Sequence, residues 1–163
     1  VRDPRGFDRA TVSLRDRIVD SAVAADLRVA DRDELFLWIT DHLRQAGRLG
    51  DCEDACKRLL DREKILSTAI HPQVAVPHAR CDGANGISLS VVKLAEGLDF
   101  GAADGTPVRL IFALIGPPEA TAEHVRVLGQ VAKLIQVPGA LDALLAAETA
   151  EQLLEVLSRH DST

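Results

Sequence analysis

Tyrosine and methionine are absent from this chain of 163 residues, and tryptophan occurs once, as Trp38. With only four phenylalanines besides, aromatics make up 3% of the sequence, so the core has to be built from aliphatic side chains. The same shortage argues against a surface that grips single-stranded nucleic acid, because base stacking needs several aromatic platforms. Positive charge is not in excess either. The 19 Lys and Arg stand against 25 Asp and Glu, a formal net charge of −6. Without a basic stripe, binding to a nucleic-acid backbone is not expected.

Long hydrophobic runs are missing as well. The longest, residues 110–115, falls far short of the roughly 20 apolar residues of a membrane-crossing helix. The mildly apolar stretch 18–25 is bounded too tightly by Asp20 and Asp26 to act as the apolar region of a signal peptide. No membrane insertion is expected. Cysteine is sparse and odd in number, with Cys52, Cys56 and Cys81. That fits free thiols in a reducing cytoplasm better than a disulfide framework. The GxGxxG and Walker A loops are lacking, as are the GxSxG elbow, HExxH and CxxC, so nucleotide hydrolysis, serine hydrolysis and a zinc site have no motif to stand on. His71, His78, Cys81 and His124 are ligand types, but no ligand pair repeats at zinc spacing, and neither a metal nor a cofactor is expected.

What is present is a globular composition, 47% apolar and 27% charged, at the length of one ordinary domain. Residues 1–12 are charged and contain Pro4 and Gly6, which reads as a loose arm. The spacing predicts a helix over 32–46, with Asp31 and Glu34 at N-cap and N3 spacing and Gly47 at the C′ position. Leu35, Phe36, Ile39 and Leu43 form its apolar stripe. A second helix is predicted after Asp51, carrying Ala55, Leu59 and Leu60 and ending in Asp61-Arg62-Glu63. The middle of the chain turns β-like. Val74-Ala75-Val76 is a short run stopped by Pro77. Ile87, Leu89 and Val91 alternate with Ser88 and Ser90 as in a half-buried strand. Residues 108–115 read as a central strand covered on both faces, after a loop over 97–105 with an Asp104-Gly105 turn. The last third reads as helical: one helix capped by Thr121 and running to about residue 136, with Val125, Leu128, Ala132 and Ile135 on its apolar face, then two shorter ones over 140–147 and 150–157. Thr149 and Gln152 have capping-box spacing. The pattern describes one α/β or α+β domain, with helices packed on a mixed sheet.

His78 is the most unusual candidate for chemistry. It follows Val74-Ala75-Val76-Pro77 on a support that proline stiffens, and an imidazole is a good neutral nitrogen nucleophile near neutral pH. On spacing alone it is equally a loop histidine with no task. His124 falls in the first turn of the helix after Thr121, where a partial positive charge favours a bound anion and disfavours a protonated ring. By itself it reads first as a surface or capping histidine. Arg62 lies in the alternating run Asp61-Arg62-Glu63-Lys64, the pattern of a solvated helix end, although an arginine can also hold a phosphate bidentately.

Several segments together resemble one family. They are Arg62-Glu63 with Ser67-Thr68, then Val74-Ala75-Val76-Pro77-His78-Ala79-Arg80, then Leu98-Asp99-Phe100 with Asp104-Gly105-Thr106-Pro107-Val108, the strand Leu110-Ile111-Phe112-Ala113-Leu114, and Glu123-His124-Val125-Arg126-Val127-Leu128. They are similar to the fructose/mannitol-type enzyme IIA domain of the bacterial phosphoenolpyruvate-dependent phosphotransferase system, a family that includes the nitrogen-regulatory enzymes IIA. The resemblance covers residues 13–158, leaving a short tail over 159–163. It implies a single α/β domain with a mixed central sheet flanked by helices on both faces. By the same resemblance His78 matches the phosphorylated histidine, accepting a phosphoryl group at Nε2 from the carrier protein HPr or a relative. His124 matches the second active-site histidine and Arg62 the active-site arginine. The acceptor it implies is an enzyme IIB. The alternative within the family is a regulatory interaction module whose output is partner binding. One stretch departs from the pattern: Ile70-His71-Pro72-Gln73 stands where family members carry glycines, residues free to take positive φ.

Overall fold

The computed structural model describes residues 13–50 and 52–160. The arm expected over residues 1–12 lies outside them, as does the end of the expected tail. A single helical turn, α1 (Leu14–Arg17), leads into β1 (Ile18–Leu27), α2 (Arg32–Gln45) and α3 (Cys52–Ile65). Three short strands follow, β2 (Ala69–His71), β3 (Val74–Ala75) and β4 (His78–Arg80), then two long ones, β5 (Ser88–Leu98) and β6 (Val108–Gly116). The chain closes with α4 (Thr121–Gln136), α5 (Ala140–Ala146) and α6 (Ala150–Arg159).

The helix ends show how local sequence sets the boundaries. Asp31 accepts a bond of 2.9 Å from the Glu34 N–H. The return arm is displaced by one residue from the expected box, because the Glu34 carboxylate takes the Ala30 N–H, at 2.9 Å. At the other end Gly47 has φ +76°. The Arg48 N–H reaches the Leu43 carbonyl at 2.9 Å and the Gly47 N–H reaches that of Arg44 at 3.0 Å, the bonding of a Schellman end. α6 repeats the displaced box, with Thr149 accepting from the Gln152 N–H at 3.1 Å and Gln152 accepting from the Glu148 N–H at 2.6 Å. α4 corrects the expectation that Thr121 caps it. The N-cap is Ala120, with no side-chain bond, because the Pro117-Pro118 turn places Thr121 one residue inside the helix, where its hydroxyl turns back to the Pro118 carbonyl.

The sheet runs β1-β5-β6-β3-β2, with β4 also paired to β6. It is mixed: β1 lies parallel to β5, β3 and β4 lie parallel to β6, and β5 lies antiparallel to β6. Leu14, Val127, Val131, Leu144, Leu153 and Leu157 fill one face of the sheet, under α1 and α4–α6. Leu35, Phe36, Ile39, Leu43, Ala55 and Leu59 of α2 and α3 fill the other. Helices on both faces also explain a second correction. Ser88 and Ser90 do not face solvent; they are 1% and 0% exposed. Their hydroxyls are satisfied inside, Ser90 donating to the Ala22 carbonyl at 2.6 Å and Ser88 accepting from Arg48 Nε at 3.0 Å, as buried polar groups must be. β5 also runs on through Gly97, so the loop begins later than expected.

α4 is turned relative to its expected face. His124, Val127, Val131, Leu134 and Ile135 are its buried residues, whereas Val125 is 61% exposed. Lys93 of β5 is buried and donates to the carbonyls of Leu145, at 3.0 Å, and Ala147. It thereby closes the carbonyl end of α5.

Candidate functional site

β3 and β4 lie end to end along β6. Val74 and Ala75 face Leu110 and Ile111, and His78, Ala79 and Arg80 face Leu114, Ile115 and Gly116. The line breaks at Val76-Pro77, where proline has no N–H to give. There the Val76 N–H turns to the Thr68 carbonyl and the Pro77 carbonyl accepts from the Leu114 N–H, both at 2.9 Å. His78 therefore opens a strand rather than trailing one. Alternation puts His78 and Arg80 on the same side of the sheet as Val74 and Val76, the side covered by α4. Ala79 packs on the opposite side with α2 and α3.

Nδ1 of His78 lies 2.9 Å from the Val76 carbonyl. A carbonyl only accepts, so Nδ1 carries the hydrogen and Nε2 holds the free lone pair. Burial pushes the proton affinity of His78 below the ordinary histidine value. The Val76 bond opposes that shift, the charges of Arg62 and Arg80 reinforce it, and Glu63 opposes it again. The ring is neutral at neutral pH.

The ring of His124 lies edge-on to that of His78, with centroids 5.5 Å apart and planes at 63°. Contrary to the surface or capping role that it reads as on its own, His124 is only 3% exposed. The first turn of α4 seats it beside Gly116, at the end of β6, where a Cβ would stand in ordinary contact with His124 Nδ1, at 3.6 Å, but only 2.8 Å from Ile87 Cγ1. Neither ring nitrogen of His124 has a hydrogen-bond partner among the described residues. Burial, with the neighbouring His78 and Arg80, brings its pKa down to about 4.

Arg62 comes in from the last turn of α3 and donates to the Leu66 carbonyl at 2.8 Å. It lines both hollows that meet at His78. One, of about 370 Å³, runs past His71, Leu128 and Ile135; the other, of about 380 Å³, opens towards Ile65 and Arg80. The charged run around Arg62 is not a uniformly solvated helix end. Glu63 is 5% exposed and accepts from the Thr68 N–H at 3.2 Å and from the Thr68 hydroxyl. That clamp ties the end of α3 to the start of β2. Among the described residues, no three His, Cys, Asp or Glu side chains form a group able to hold a metal ion. Cys81 is buried, its thiol pushed up to about 11 by that burial.

Over residues 18–160 the sequence matches the family described as phosphoenolpyruvate-dependent sugar phosphotransferase system, EIIA 2. The chain belongs to this family. A nitrogen regulatory protein of Bradyrhizobium diazoefficiens is 33% identical over 151 residues, 92% of this chain and 97% of that one. A fructose-specific EIIA component of Haloferax volcanii is 27% identical over 129 residues, 79% of this chain and 84% of that one. Among solved structures, the nitrogen regulatory protein IIA-Ntr of Neisseria meningitidis superposes with a TM-score of 0.79 at 30% identity, over 88% of this chain and 98% of that one. The α/β architecture with a mixed sheet between helices is thus that of the enzyme IIA family.

Two features of this enzyme IIA chain around His78 were not assigned from sequence. Arg80 donates to the Thr121 hydroxyl at 3.0 Å, tying β4 to the first turn of α4. Its position two residues after His78 was the available signal, since that spacing shares one face of a strand. The Glu63–Thr68 clamp had a weaker signal, a carboxylate five residues before a threonine across a helix end. The glycine-free turn is also accounted for, because Gln73 itself takes φ +71° and its carbonyl accepts from the N–H groups of Arg109 and Leu110, both at 2.9 Å. No helix among the described residues is long and apolar enough to cross a membrane.

Proposed function

We propose that this protein is a phosphocarrier of the cytoplasm that takes a phosphoryl group onto Nε2 of His78 from an HPr-like donor and hands it to an acceptor protein. The observation that carries this reading is the pairing of the two histidines: one ring with a free, neutral Nε2, and beside it a buried ring with no partner for either nitrogen. A buried polar group without a partner costs free energy, so the His124 site is built for oxygen atoms that arrive with a ligand.

In the forward step the Nε2 lone pair of His78 attacks phosphorus. The bond from phosphorus to the donor's histidine nitrogen breaks, and its electron pair returns to that imidazole. His124 donates a hydrogen bond to a phosphoryl oxygen, and Arg62 supplies positive charge for the oxygens that carry the developing negative charge. The second step is the same displacement with a nucleophile of the acceptor, a thiol or imidazole such as that of an enzyme IIB. No metal, nucleotide or other cofactor takes part in either step.

Relatives named nitrogen regulatory proteins favour a second use of the same chemistry. A phosphoryl group adds a charge of about −1.5 to −2 at a surface edged by exposed Ile65, Leu66 and Ile70, enough to change which partner docks there. The test is incubation with phosphoenolpyruvate, enzyme I and HPr. The expected product carries one phosphoryl group, labile in acid and stable in base, and does not form with His78→Ala. An equal yield from His78→Ala moves the site elsewhere.

A further inference from the structure

We propose that Arg80 is a second phosphoryl-binding cation of this site, facing Arg62 across the His78 cleft. The inference rests on the phosphocarrier reading above and adds a residue to it. Arg80 follows His78 by two positions in β4, so both side chains leave the same face of the strand. It lines the open cleft of about 380 Å³ together with Arg58, Asp61, Arg62, Ile65 and His78.

The cations in that cleft are not equivalent. Arg58 is committed to Asp54, Nε to Oδ2 at 2.8 Å. Arg62 and Arg80 have no carboxylate partner among the described residues. Their bonds go to neutral oxygens, the Leu66 carbonyl for Arg62 and the Thr121 hydroxyl for Arg80. A guanidinium has several more N–H donors than the one so used, and its planar fork matches phosphoryl oxygens. Asp61, which lines the same cleft, lies 3.9 Å from both Lys57 and Lys64 instead, so an anion entering beside the nucleophilic imidazole would meet the spare donors of both guanidiniums.

The chemistry asks for such an arrangement. In phosphoryl transfer the negative charge spreads over all three equatorial oxygens. Arg62 arrives from the end of α3, His124 from α4 and Arg80 from β4, so the oxygens would be held from three elements. The Thr121 hydroxyl fixes the guanidinium of Arg80 at the uncapped first turn of α4. The same charge is among the causes that keep both imidazoles unprotonated.

The experiment is single-turnover phosphorylation by a phosphorylated HPr-like donor, run to saturation in donor, on wild type, Arg80→Ala, Arg80→Lys and Thr121→Val, with circular dichroism to confirm folding. Arg80→Ala is expected to lower the saturated rate by about 10²-fold, as for loss of a transition-state donor, and more donor should not restore it. Arg80→Lys is expected to fall between, since it keeps the charge and loses the fork. Thr121→Val keeps the guanidinium and removes its tether, so it should slow transfer by less than Arg80→Ala does. The phosphorus resonance of the phosphoprotein should shift in Arg80→Ala and shift less in Thr121→Val. A wild-type rate in Arg80→Ala, a defect confined to donor affinity, or an equal defect in Thr121→Val each overturn the role given to Arg80. Failure of wild type itself to take phosphate overturns the phosphocarrier reading, and this proposal with it.

Discussion

The imidazole of His124 is buried against that of His78, with centroids 5.5 Å apart and both nitrogens of His124 unpaired among the described residues. A polar ring held that way is a cost to the folded state, and it is useful only if something it can bond to comes and goes.

Replacing it should therefore separate stability from function. His124→Leu keeps comparable bulk under Gly116 and removes two buried, unsatisfied nitrogens. It is expected to raise the unfolding free energy by about 1 kcal/mol. The same change should slow phosphorylation of His78 by roughly 10²–10³-fold, the usual effect of losing one transition-state donor. Thermal denaturation and labelling kinetics on the same preparation check both halves. A variant that is less stable and transfers at the normal rate would show His124 to be a packing residue.

Acid should weaken the fold through the same ring. In the unfolded chain His124 titrates near 6.5, and in the folded chain at about 4. Between those values the unfolded chain holds a proton that the folded chain refuses, so stability is complete above pH 6.5 and is lost as the pH falls towards 4. At about 1.4 kcal/mol per pH unit, the loss is on the order of 3 kcal/mol. His78 is shifted in the same direction and adds to it. Denaturant unfolding at a series of pH values should show a shallower acid slope for His124→Leu than for wild type; parallel slopes would contradict the shift.

Gln73 should be a site of easy improvement. It holds φ +71° in the turn between β2 and β3, a region that costs a residue with a Cβ about 1–2 kcal/mol. Gln73→Gly keeps the carbonyl that serves Arg109 and Leu110. After the greater flexibility of glycine in the unfolded chain is set against that relief, a gain of about 0.5–1 kcal/mol is expected. Gln73→Val should lose stability. The midpoints of chemical denaturation decide between these signs.

Lys93 tests the far side of the sheet. Its ammonium serves the Leu145 and Ala147 carbonyls from a buried position, and Lys93→Met strands both acceptors. A loss of about 2–3 kcal/mol is expected, the range for buried bonds to a charged group. The transfer rate of the folded fraction should not change. Urea titration and labelling at full folding measure the two separately.

Legibility in the sequence followed the range of the interactions involved. The ends of α2 and α6 could be read because Asp31, Gly47 and Thr149 act within one turn. The central strand β6 could be read because both its faces are covered and nearly every residue is apolar. β1 could not: it is an edge strand whose apolar residues are interrupted by Asp20, Ser21 and Asp26, with register shifts along its pairing. β2 and β4 are three residues each, too short to show a period. The burial of His124 was hidden for a different reason, since it rests on contacts with other elements far off in the sequence, His78 of β4 among them. The candidate residues themselves were visible because the Val-Ala-Val-Pro-His pattern resembles a known family. Arg80 and Glu63 were not singled out, because their partners Thr121 and Thr68 lie across a loop or on another element.

The measurement that bears most directly on this account is the site of phosphorylation. Wild type and His78→Ala are each incubated with phosphoenolpyruvate, enzyme I and HPr, and the intact protein and its peptides are weighed under basic conditions. A single phosphoryl group on the peptide containing His78, absent from the variant, is the expected result. Full labelling of His78→Ala, or no labelling of wild type by a donor shown to be active, would contradict it.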